Sequence, residues 1–291
     1  MSHPDRYIPG VPCWVDTTQP DPGAAVAFYG GLFGWELEDT MPPGSPGSYH
    51  VARLGGRDVA AVSSQPEGGP PAAAWNTYVW VTDAAETADK VRSAGGDVVS
   101  PPFDVADAGR MAVFADPAGA AFCVWEARGH RGAEAVNEHG TLNFNDLRTS
   151  DLDAARSFYG AVFGWEVLDL GGSFAWALPG YGDFLEQRTP GTRENMAQMG
   201  APERFEDVVA SVAAIGDDEP GATSHWGVTF GVEDADAIAS RAVDLGGEVV
   251  VPAFDAPWVR TTVLADPAGA TFTATQFVPE NKGLGASSGA T

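Results

Sequence analysis

The sequence predicts an α+β fold of four βαβββ modules arranged as two domains, and two internal repeats carry this prediction. The stretch FYGGLFGW at 28–35 returns as FYGAVFGW at 158–165, and DPAGA at 116–120 returns unchanged at 266–270. A long internal repeat indicates duplicated structural units before any single element is assigned. The length of 291 residues also suits two domains, each large enough for its own core.

The first module has the local signals expected for each of its elements. Val11–Thr17 predicts a strand, and the apolar spacing over Pro22–Phe33 predicts a helix. Asp21 suits the N-cap, Pro22 suits the first helical position and Gly34 suits the end of the helix. Three short strands are then expected, at 35–39, 50–54 and 58–63.

The other three modules repeat the order β-α-β-β-β. A Pro/Gly/Ala stretch at 66–74 leads into the second module. Paired glycines, Gly95-Gly96 and Gly246-Gly247, end the second and fourth helices. The elements expected in these modules are strands 76–81, 111–115, 121–126, 141–147, 165–169, 174–178, 260–264 and 271–277, further strands near Val98 and from Trp226, and helices 84–94, 152–163 and 235–245.

Domain boundaries follow from these elements. We expect a first domain at 1–127, a charged linker at 128–139 and a second domain at 140–280. The Gly/Ser/Ala-rich tail at 281–291 is expected to be flexible. The second domain has an inserted loop at 179–205, and a loop of this length in a compact domain is more often functional than not.

The composition limits the classes of partner. The formal charge of −24 and the pI near 4.3 argue against nucleic acid and permit cationic ligands. No apolar run suits a membrane span, and the first ten residues lack a signal region, so we expect a cytoplasmic protein, either a monomer or a homodimer. Cys13 and Cys123 do not form the pattern of a disulfide framework.

The two FYG…FGW stretches and the paired DPAGA turns resemble the vicinal oxygen chelate superfamily, which includes glyoxalase I, bleomycin-resistance proteins and extradiol dioxygenases. The resemblance covers nearly the whole chain and is to tandem, two-domain members. It implies glyoxalase-like domains, each a curved mixed sheet around a cleft. It also implies a divalent metal, held in most of these enzymes by His, Gln or Glu from the first and last strands of each module.

This chain departs from that metal pattern. The family's ligand positions, carried over by counting, fall near Trp14, Ala61, Asn76 and Cys123 in the first domain. In the second domain they fall near Phe144, Ala210, Gly227 and Thr273. None of these is His or Glu, the ligands that borderline metals prefer. We therefore expect metal-free clefts and no cofactor.

Strand alternation predicts which residues line the first cleft. Val79 and Val81 are expected to pack on the helix, which leaves the neighbouring residues to face the cleft. The ligand-binding candidates in this domain are Trp14, Asp16, Asn76, Tyr78, Trp80, Arg110, Cys123 and Trp125. The aromatic members could equally fill a core.

The second cleft is expected to be lined by small side chains, many of which carry hydroxyl groups. Its ligand-binding candidates are Thr229, Thr273 and Arg260, with His225 at the mouth. Threonines are also simply good strand formers. Arg260 occupies the position of Arg110 in the repeat, which favours a structural ion pair shared by the two copies. The inserted loop has helix-compatible runs and could act as a lid or a subunit contact, with Glu186 as its best candidate acid or base.

Two functional hypotheses follow. The first is a glyoxalase/bleomycin-resistance-like protein with metal-free clefts that binds, sequesters or carries an aromatic or cationic metabolite. The alternative is a metal-independent enzyme of lyase, isomerase or hydroxylase type, acting on a small carbonyl or hydroxylated substrate in the second domain. Glu186 and His225 would then provide acid and base, and Arg260 would hold an anionic group.

Overall fold

The computed structural model describes residues 6–65, 72–216, 219 and 221–284. Within them, the strands form two eight-stranded mixed sheets, one in each half of the sequence, with helices packed against them. This confirms the predicted α+β fold of two glyoxalase-like sheets. Neither sheet closes on itself.

The first sheet has the strand order β2-β3-β4-β1-β5-β8-β7-β6. The central pairs β1–β4 and β5–β8 are parallel, and the outer pairs are antiparallel. Its elements are β1 (Pro12–Gln19), α1 (Pro22–Phe33), β2 (Glu36–Asp39), β3 (Tyr49–Leu54), β4 (Arg57–Ser64), β5 (Ala74–Trp80), α2 (Ala84–Ser93), β6 (Asp97–Val105), β7 (Gly109–Ala115) and β8 (Ala121–Ala127).

The second sheet repeats this arrangement in the order β10-β11-β12-β9-β13-β16-β15-β14. Its elements are β9 (Thr141–Thr149), α3 (Leu152–Phe163), β10 (Glu166–Asp169), β11 (Phe174–Ala177), β12 (Val208–Ala214), β13 (His225–Gly231), α6 (Ala235–Asp244), β14 (Glu248–Ala256), β15 (Val259–Ala265) and β16 (Thr271–Phe277). The inserted loop contains two further helices, α4 (Tyr181–Arg188) and α5 (Thr192–Met199), followed by a 3-10 turn at Phe205–Asp207.

Local capping explains why the first helix of each half was predicted to the residue. The Asp21 carboxylate accepts a hydrogen bond from the N–H of Ala24, and Gly34 ends α1 with φ +72°. Asp151 and Gly164 do the same for α3. A carboxylate cap and a left-handed glycine are both read from the sequence alone because they depend on neighbouring residues.

Edge strands were harder to predict. The order of the modules implies a strand at β14, but no residues were assigned to it, and the strand expected near Val98 is the nine-residue β6. Both strands are mostly exposed and contain a proline, so they lack the buried alternation that identifies a strand from sequence. Tertiary pairing with β7 and β15 defines them instead.

The described chain forms two compact units that do not coincide with the two halves of the sequence. The first unit comprises Met1–Cys13, Tyr78–Arg131 and Asn145–Trp226. The second unit comprises Trp14–Thr77, Gly132–Phe144 and Gly227–Thr291. Each unit therefore combines helix-bearing segments from both halves, and each has its own core.

The core of the second unit is built around Tyr29. Its ring packs against Trp35, Trp75 and Phe272, with centroids between 5.3 and 5.9 Å away. Its hydroxyl donates to Oδ2 of Asp266 at 2.9 Å and accepts from the Trp75 indole at 3.1 Å. Burial is the largest influence on the Tyr29 phenol and raises its pKa well above the usual value, so the hydroxyl stays a donor.

The first unit repeats this core around Tyr159. The hydroxyl donates to Oδ2 of Asp116 at 3.1 Å and accepts from the Trp226 indole at 2.9 Å. The other oxygen of Asp116 accepts from the N–H groups of Ala118 and Ala120, both at 2.9 Å. The DPAGA turn therefore presents one carboxylate oxygen to its own backbone and the other to a tyrosine of the opposite half of the sequence.

The paired glycines allow a close approach that a side chain would block. Gly95 has φ +86°, a conformation that favours glycine. A Cβ atom at Gly96 would lie 2.7 Å from the carbonyl oxygen of Ala115 and 2.6 Å from the Phe158 ring. Gly247 has the same crowding, against Ala265 and Phe28. These glycines serve packing as well as ending the helices.

Two sequence predictions fall partly outside the described residues. Residues 66–71 of the Pro/Gly/Ala stretch and 285–291 of the tail are not described. The described residues that precede the tail form a 3-10 helix at Pro279–Gly283.

Among the helices that the structure describes, none is both long and apolar enough to cross a bilayer.

The buried Tyr159 hydroxyl is expected to contribute strongly to stability. Tyr159→Phe leaves a carboxylate oxygen and an indole N–H in the core without their partner, which should lower the free energy of unfolding by about 1–3 kcal/mol. Urea unfolding measures the change. Ser157→Ala is the control: it removes an exposed hydroxyl of the same helix and should change stability by less than about 0.5 kcal/mol. Equal unfolding midpoints for the two variants would contradict the assigned role.

Candidate functional site

Strands β1, β3 and β5 carry a polar cluster in the second unit. Its members are Trp14, Asp16, Tyr49 and Asn76, and we call it the Asp16 cluster. The Tyr49 hydroxyl donates to Oδ2 of Asp16 at 3.2 Å, and the Asn76 amide donates to Oδ1 at 2.8 Å. The Trp14 indole donates to the Tyr49 hydroxyl at 3.0 Å. Asp16 is only 2% exposed, so these donors stabilise a carboxylate that is largely removed from water.

Alternation fixes the face on which this cluster lies. Val15 and Trp75 are in the hydrophobic core of the second unit, so their strand neighbours Trp14, Asp16 and Asn76 lie on the opposite face of the sheet. The three side chains therefore share the face that is turned away from that core. Tyr49 was not among the predicted residues, because it precedes the position expected to start β3.

An open pocket of about 580 Å³ lies within the first unit, and we call it the Trp80 pocket. Tyr7 packs near Trp80 with ring centroids 6.0 Å apart, and the Arg131 guanidinium lies over Trp80 at 5.9 Å. The inserted helix α4 supplies the facing wall through Phe184 and Arg188, whose guanidinium lies 5.6 Å from the Phe184 ring centroid. The pocket lining is Tyr7, Ile8, Pro9, Trp80, Val81, Thr82, Glu126, Ala127, Arg131, Phe184, Gln187 and Arg188.

The position of this pocket differs from the expected one. The inserted loop was expected to cover a site in the second half of the sequence. Instead, its helix α4 lines a pocket together with Trp80 and the segment at Tyr7, both from the first half. Trp80 was among the predicted ligand-binding residues, whereas Tyr7, Phe184, Arg131 and Arg188 were not. The one available signal was the Phe184–Arg188 spacing of four residues, which places both side chains on one face of a helix.

The remaining aromatic candidates of the first half lie on paired strands of the first unit. Tyr78 pairs with Cys123, and Trp80 pairs with Trp125, across the parallel strands β5 and β8. The Trp125 indole donates to the carbonyl of His130 at 2.9 Å. All four side chains are buried, so they form a wall of the sheet more than an open surface.

Cys13 and Cys123 are both buried, and neither forms a disulfide. Burial raises the pKa of the Cys13 thiol far above its ordinary value, which keeps it protonated and unreactive. Cys13 therefore acts as a small apolar residue.

Arg110 and Arg260 do not lie on the expected cleft face. Arg110 is directly across from Glu126, not Trp125, and the Glu126 carboxylate accepts from the N–H of Ala84 at the start of α2. Arg260 donates to both carboxylate oxygens of Asp236 on α6, at 2.6 and 3.0 Å. Counting from the Asp-Pro turn did not settle the parity of these strands, whereas the cross-strand register does.

The ion pairs of Arg260 favour its structural interpretation. Besides Asp236, Nη1 of Arg260 bonds to Asp255 at 3.1 Å on the neighbouring strand. Hydrogen bonds from the guanidinium lower the pKa of the Asp236 carboxyl. Arg110 has a weaker pairing, with Nε 4.0 Å from Asp104.

Glu186 caps a helix. Its carboxylate accepts hydrogen bonds from the N–H groups of Gly191 at 2.7 Å and Arg193 at 3.1 Å, at the start of α5. These backbone donors lower the pKa of Glu186, so it is ionised at neutral pH.

His225 is exposed, and its Nδ1 lies 2.8 Å from the carbonyl of Thr223. Each contact is a local structural one, and neither favours proton transfer to a substrate.

The threonine candidates lie side by side in the second unit. Thr229 pairs with Thr273 across the parallel strands β13 and β16. Thr229 is buried and Thr273 is half-buried.

In the first unit, Asp146 occupies the position of Asp16 in the repeat, and the Ser211 hydroxyl donates a hydrogen bond to it. The repeat therefore retains an aspartate on this strand and changes its partners.

A metal centre of the family type does not fit the donors present. Across residues 6–65, 72–216, 219 and 221–284, no three His, Cys, Asp or Glu side chains come together as a candidate cation site. Amide, phenol and indole groups surround Asp16 instead of imidazole and carboxylate. Such a donor set suits hydrogen bonding to an organic ligand better than coordination of a borderline metal.

The sequence matches the Glyoxalase/Bleomycin resistance protein/Dioxygenase superfamily over residues 14–124 and 141–273. The chain belongs to this superfamily and has its tandem, two-domain layout.

Among its relatives, the protein named "Putative glyoxylase CFP32" from Mycobacterium tuberculosis is 38% identical over 96% of this chain and 100% of its own. The anthracycline biosynthesis protein DnrV of Streptomyces peucetius is 36% identical over 94% of this chain and 95% of its own. Among solved structures, the Mn(II)-bound glyoxalase of Novosphingobium aromaticivorans matches with a TM-score of 0.58 at 15% identity, covering 92% of this chain and 82% of that one. That last likeness concerns the fold alone.

The Glu186 cap predicts how the inserted loop responds to mutation. Glu186→Gln should speed amide hydrogen exchange at 191–199, because the charged acceptor at the start of α5 is lost. Hydrogen-exchange mass spectrometry at neutral pH measures this. Glu203→Gln is the control, because it removes the same negative charge from an exposed position of the same loop. Unchanged exchange in the Glu186 variant would contradict the capping role.

The same contact predicts a pH dependence. The folded pKa of Glu186 lies below the ordinary value of 4.5, so the cap contributes fully above that pH. As the pH falls through the lower, folded pKa, the carboxylate protonates and the contribution is lost. The Gln variant should lack this acid-dependent loosening.

Proposed function

We propose that this protein binds a small planar aromatic molecule in the Trp80 pocket, without a resident metal. The observation that carries the proposal is the convergence of Tyr7, Trp80 and Phe184, from three separate segments of the first unit, on one open pocket of about 580 Å³. This volume falls in the range of small-molecule sites, roughly 300–1,000 Å³. Aromatic walls with a few polar groups suit a flat, apolar ligand.

The names of the relatives support the same class of ligand. DnrV and DauV are named for anthracycline biosynthesis, and both are 36% identical to this chain over 94% of its length. Anthracyclines are polycyclic aromatic compounds. A ligand with fused aromatic rings is therefore the natural first choice for this chain.

We infer that the inserted loop completes the pocket as a lid. The helix α4 contributes Phe184, Gln187 and Arg188 to the lining. Glycines with positive φ stand at the start of α4 (Gly180) and at both ends of α5 (Gly191 and Gly200). The Glu186 cap ties α5 to α4, so the two helices are expected to move together.

The enzymatic alternative has less support. Of its named residues, Glu186 is committed to a helix cap and Arg260 to two carboxylates, while His225 is exposed. One relative is named as a putative glyoxylase. We propose binding, carriage or sequestration because the pocket has a built aromatic wall and these three residues have other contacts.

The metal-free proposal has its own test. The donor set around Asp16 suits hydrogen bonding more than coordination, so we expect binding of an aromatic ligand to survive removal of metals. Elemental analysis of the purified protein and ligand titration before and after EDTA dialysis measure this. A stoichiometric amount of Mn, Fe, Ni or Zn, lost together with binding on dialysis, would overturn it.

Trp80 lines the pocket, and we expect the part of its side chain that is exposed there to contact the ligand. Trp80→Leu should weaken binding of a naphthalene or anthraquinone probe by roughly 2- to 10-fold, because an aromatic pair contributes about 0.5–1.5 kcal/mol beyond burial. Isothermal titration calorimetry measures the affinity. Phe184→Ala should weaken binding as well, through loss of the facing wall.

The matched control is Phe174→Ala. Phe174 is an exposed aromatic residue of the first unit that does not line the pocket. Its loss should leave the affinity unchanged. If Trp80→Leu and Phe174→Ala bind the probes as tightly as the unchanged protein does, the ligand does not bind in the Trp80 pocket.

A further inference from the structure

We propose that Arg193 is a positioning residue for the Trp80 pocket: without lining the pocket itself, it fixes helix α4 in place and so holds Phe184 as an aromatic wall. This inference rests on the proposed function and adds to it a residue on which binding depends without ligand contact. Arg193 is not among the lining residues, whereas α4 lines the pocket with Phe184, Gln187 and Arg188.

The two inserted helices have little of the apolar packing that usually holds a helix in place. None of the eight residues of α5, all of which the structure describes, is buried. Of the eight described residues of α4, Gly182 alone is buried. A helix of this length is also too short to be stable in water by itself. Polar contacts between the segments therefore contribute much of the order of the insertion.

Those polar contacts form a closed ring among α4, α5 and the 3-10 turn that follows them. The turn caps α4, because Oδ1 of Asp207 accepts from the N–H of Gly182 at 2.9 Å. Glu186 of α4 caps α5 by accepting from N–H groups at its start. The Arg193 side chain on α5 closes the ring, because its Nε donates to Glu206 of the turn at 3.1 Å. Each inserted helix thus depends on another segment for its cap.

Arg193 contacts all three segments from one position. Its Nη2 donates to Oδ1 of Asp183 on α4 at 2.7 Å, in addition to the bond from Nε to Glu206. Its backbone N–H donates to Glu186 at 3.1 Å. The planar guanidinium presents several donors in fixed directions, so one side chain can bind two carboxylates at once. Loss of this side chain should therefore release α4 from both α5 and the turn.

Helix α4 transmits this contact to the pocket because it has two functional sides. Asp183 and Glu186, three residues apart, lie on the side that α5 contacts. Phe184 and Gln187, also three residues apart, lie on the pocket side. Successive residues of a helix are separated by about 100° around its axis. A rotation of α4 that broke the ion pair of Asp183 would therefore also turn Phe184 away from its place in the wall.

The ring of contacts is also tightly packed. A Cβ atom at Gly182 would collide with Cγ of Glu206 and would lie 3.2 Å from Nη2 of Arg193. The 3-10 turn therefore lies directly against the first turn of α4, with the guanidinium beside both. This leaves α4 little freedom to shift while the ion pairs of Arg193 are in place.

The exposure of these ion pairs sets the size of the expected effect. Arg193 and its partners are in contact with water, so each pair contributes modestly and is screened by salt. Two such pairs change the fraction of molecules with α4 in place by a factor of about 2 to 10. The apparent affinity for a ligand falls in proportion to that fraction. We therefore expect weaker binding and not its loss.

Calorimetric titration with 2-naphthol at neutral pH tests the inference, since an uncharged probe makes no ion pair of its own. Arg193→Gln should weaken binding about 2- to 10-fold, and Arg193→Lys should weaken it less, because it keeps the charge without the fork. Asp183→Asn breaks one of the two pairs and should have an intermediate effect. Arg92→Gln is the matched control: it removes the same charge from an exposed helix position paired with Asp89, outside the pocket, and should keep the affinity.

A second substitution shows whether Arg193 acts through Phe184. In a Phe184→Ala background, Arg193→Gln should cause no further loss of affinity, because the wall that Arg193 positions is already absent. A general destabilisation would weaken binding equally in both backgrounds. Hydrogen-exchange mass spectrometry without ligand gives an independent measurement: Arg193→Gln should speed amide exchange in α4, and Arg92→Gln should not.

The outcomes separate this inference from the function on which it rests. If Arg193→Gln binds 2-naphthol as tightly as Arg92→Gln, leaves exchange in α4 unchanged, or weakens binding equally in the Phe184→Ala background, Arg193 does not position the wall, and aromatic binding stands. If Arg193→Gln does not fold, Asp183→Asn in the same pair of backgrounds decides. If 2-naphthol does not bind the unchanged protein, or binds equally after Trp80→Leu and Phe184→Ala, the proposed function fails and this inference with it.

Discussion

The fold depends on one buried contact that occurs twice, the hydrogen bond from a helix tyrosine to an Asp-Pro turn. Tyr159 reaches Asp116 in the first unit, and Tyr29 reaches Asp266 in the second. In each case the other carboxylate oxygen is held by the backbone of the turn, and a tryptophan donates to the same tyrosine oxygen. Since a carboxyl group buried in a core requires such hydrogen bonds, the turn, the helix and the tryptophan must be positioned together.

This constraint explains why the repeated motifs describe the fold and say little about chemistry. In each FYG…FGW stretch, the tyrosine satisfies the buried aspartate and the glycine ends the helix. The following tryptophan donates to a backbone carbonyl, from Trp35 to Gly140 and from Trp165 to Gly10. These residues lie on the face of each sheet against which the helices pack. The opposite face is free of that constraint, and there the repeats diverge: Asn76 corresponds to Gly227, and Ala61 to Ser211.

The inserted loop is where divergence produced a new surface. Its capping interactions make α4 and α5 a defined structure, since Glu186 holds Gly191 and Arg193, and Arg193 also pairs with Asp183 and Glu206. An ordered insertion can present side chains at fixed positions, whereas an irregular loop would lose binding energy in becoming ordered. Through Phe184 and Arg188 it adds an aromatic wall and a positive charge to a pocket whose remaining residues belong to a duplicated scaffold.

The sequence by itself determined the features that depend on neighbouring residues: the modules, the limits of α1 and α3, and the parity of Trp14, Asp16 and Asn76. Caps, glycine stops and buried alternation are all local signals, so they can be read along the chain. Tertiary structure decided the rest. It paired the helices with turns from the opposite half, defined the exposed strand β14, turned Arg260 toward α6 and brought Phe184 to the pocket of Trp80. Those outcomes depend on contacts between residues far apart in the chain, and no local pattern encodes which distant segment will meet which.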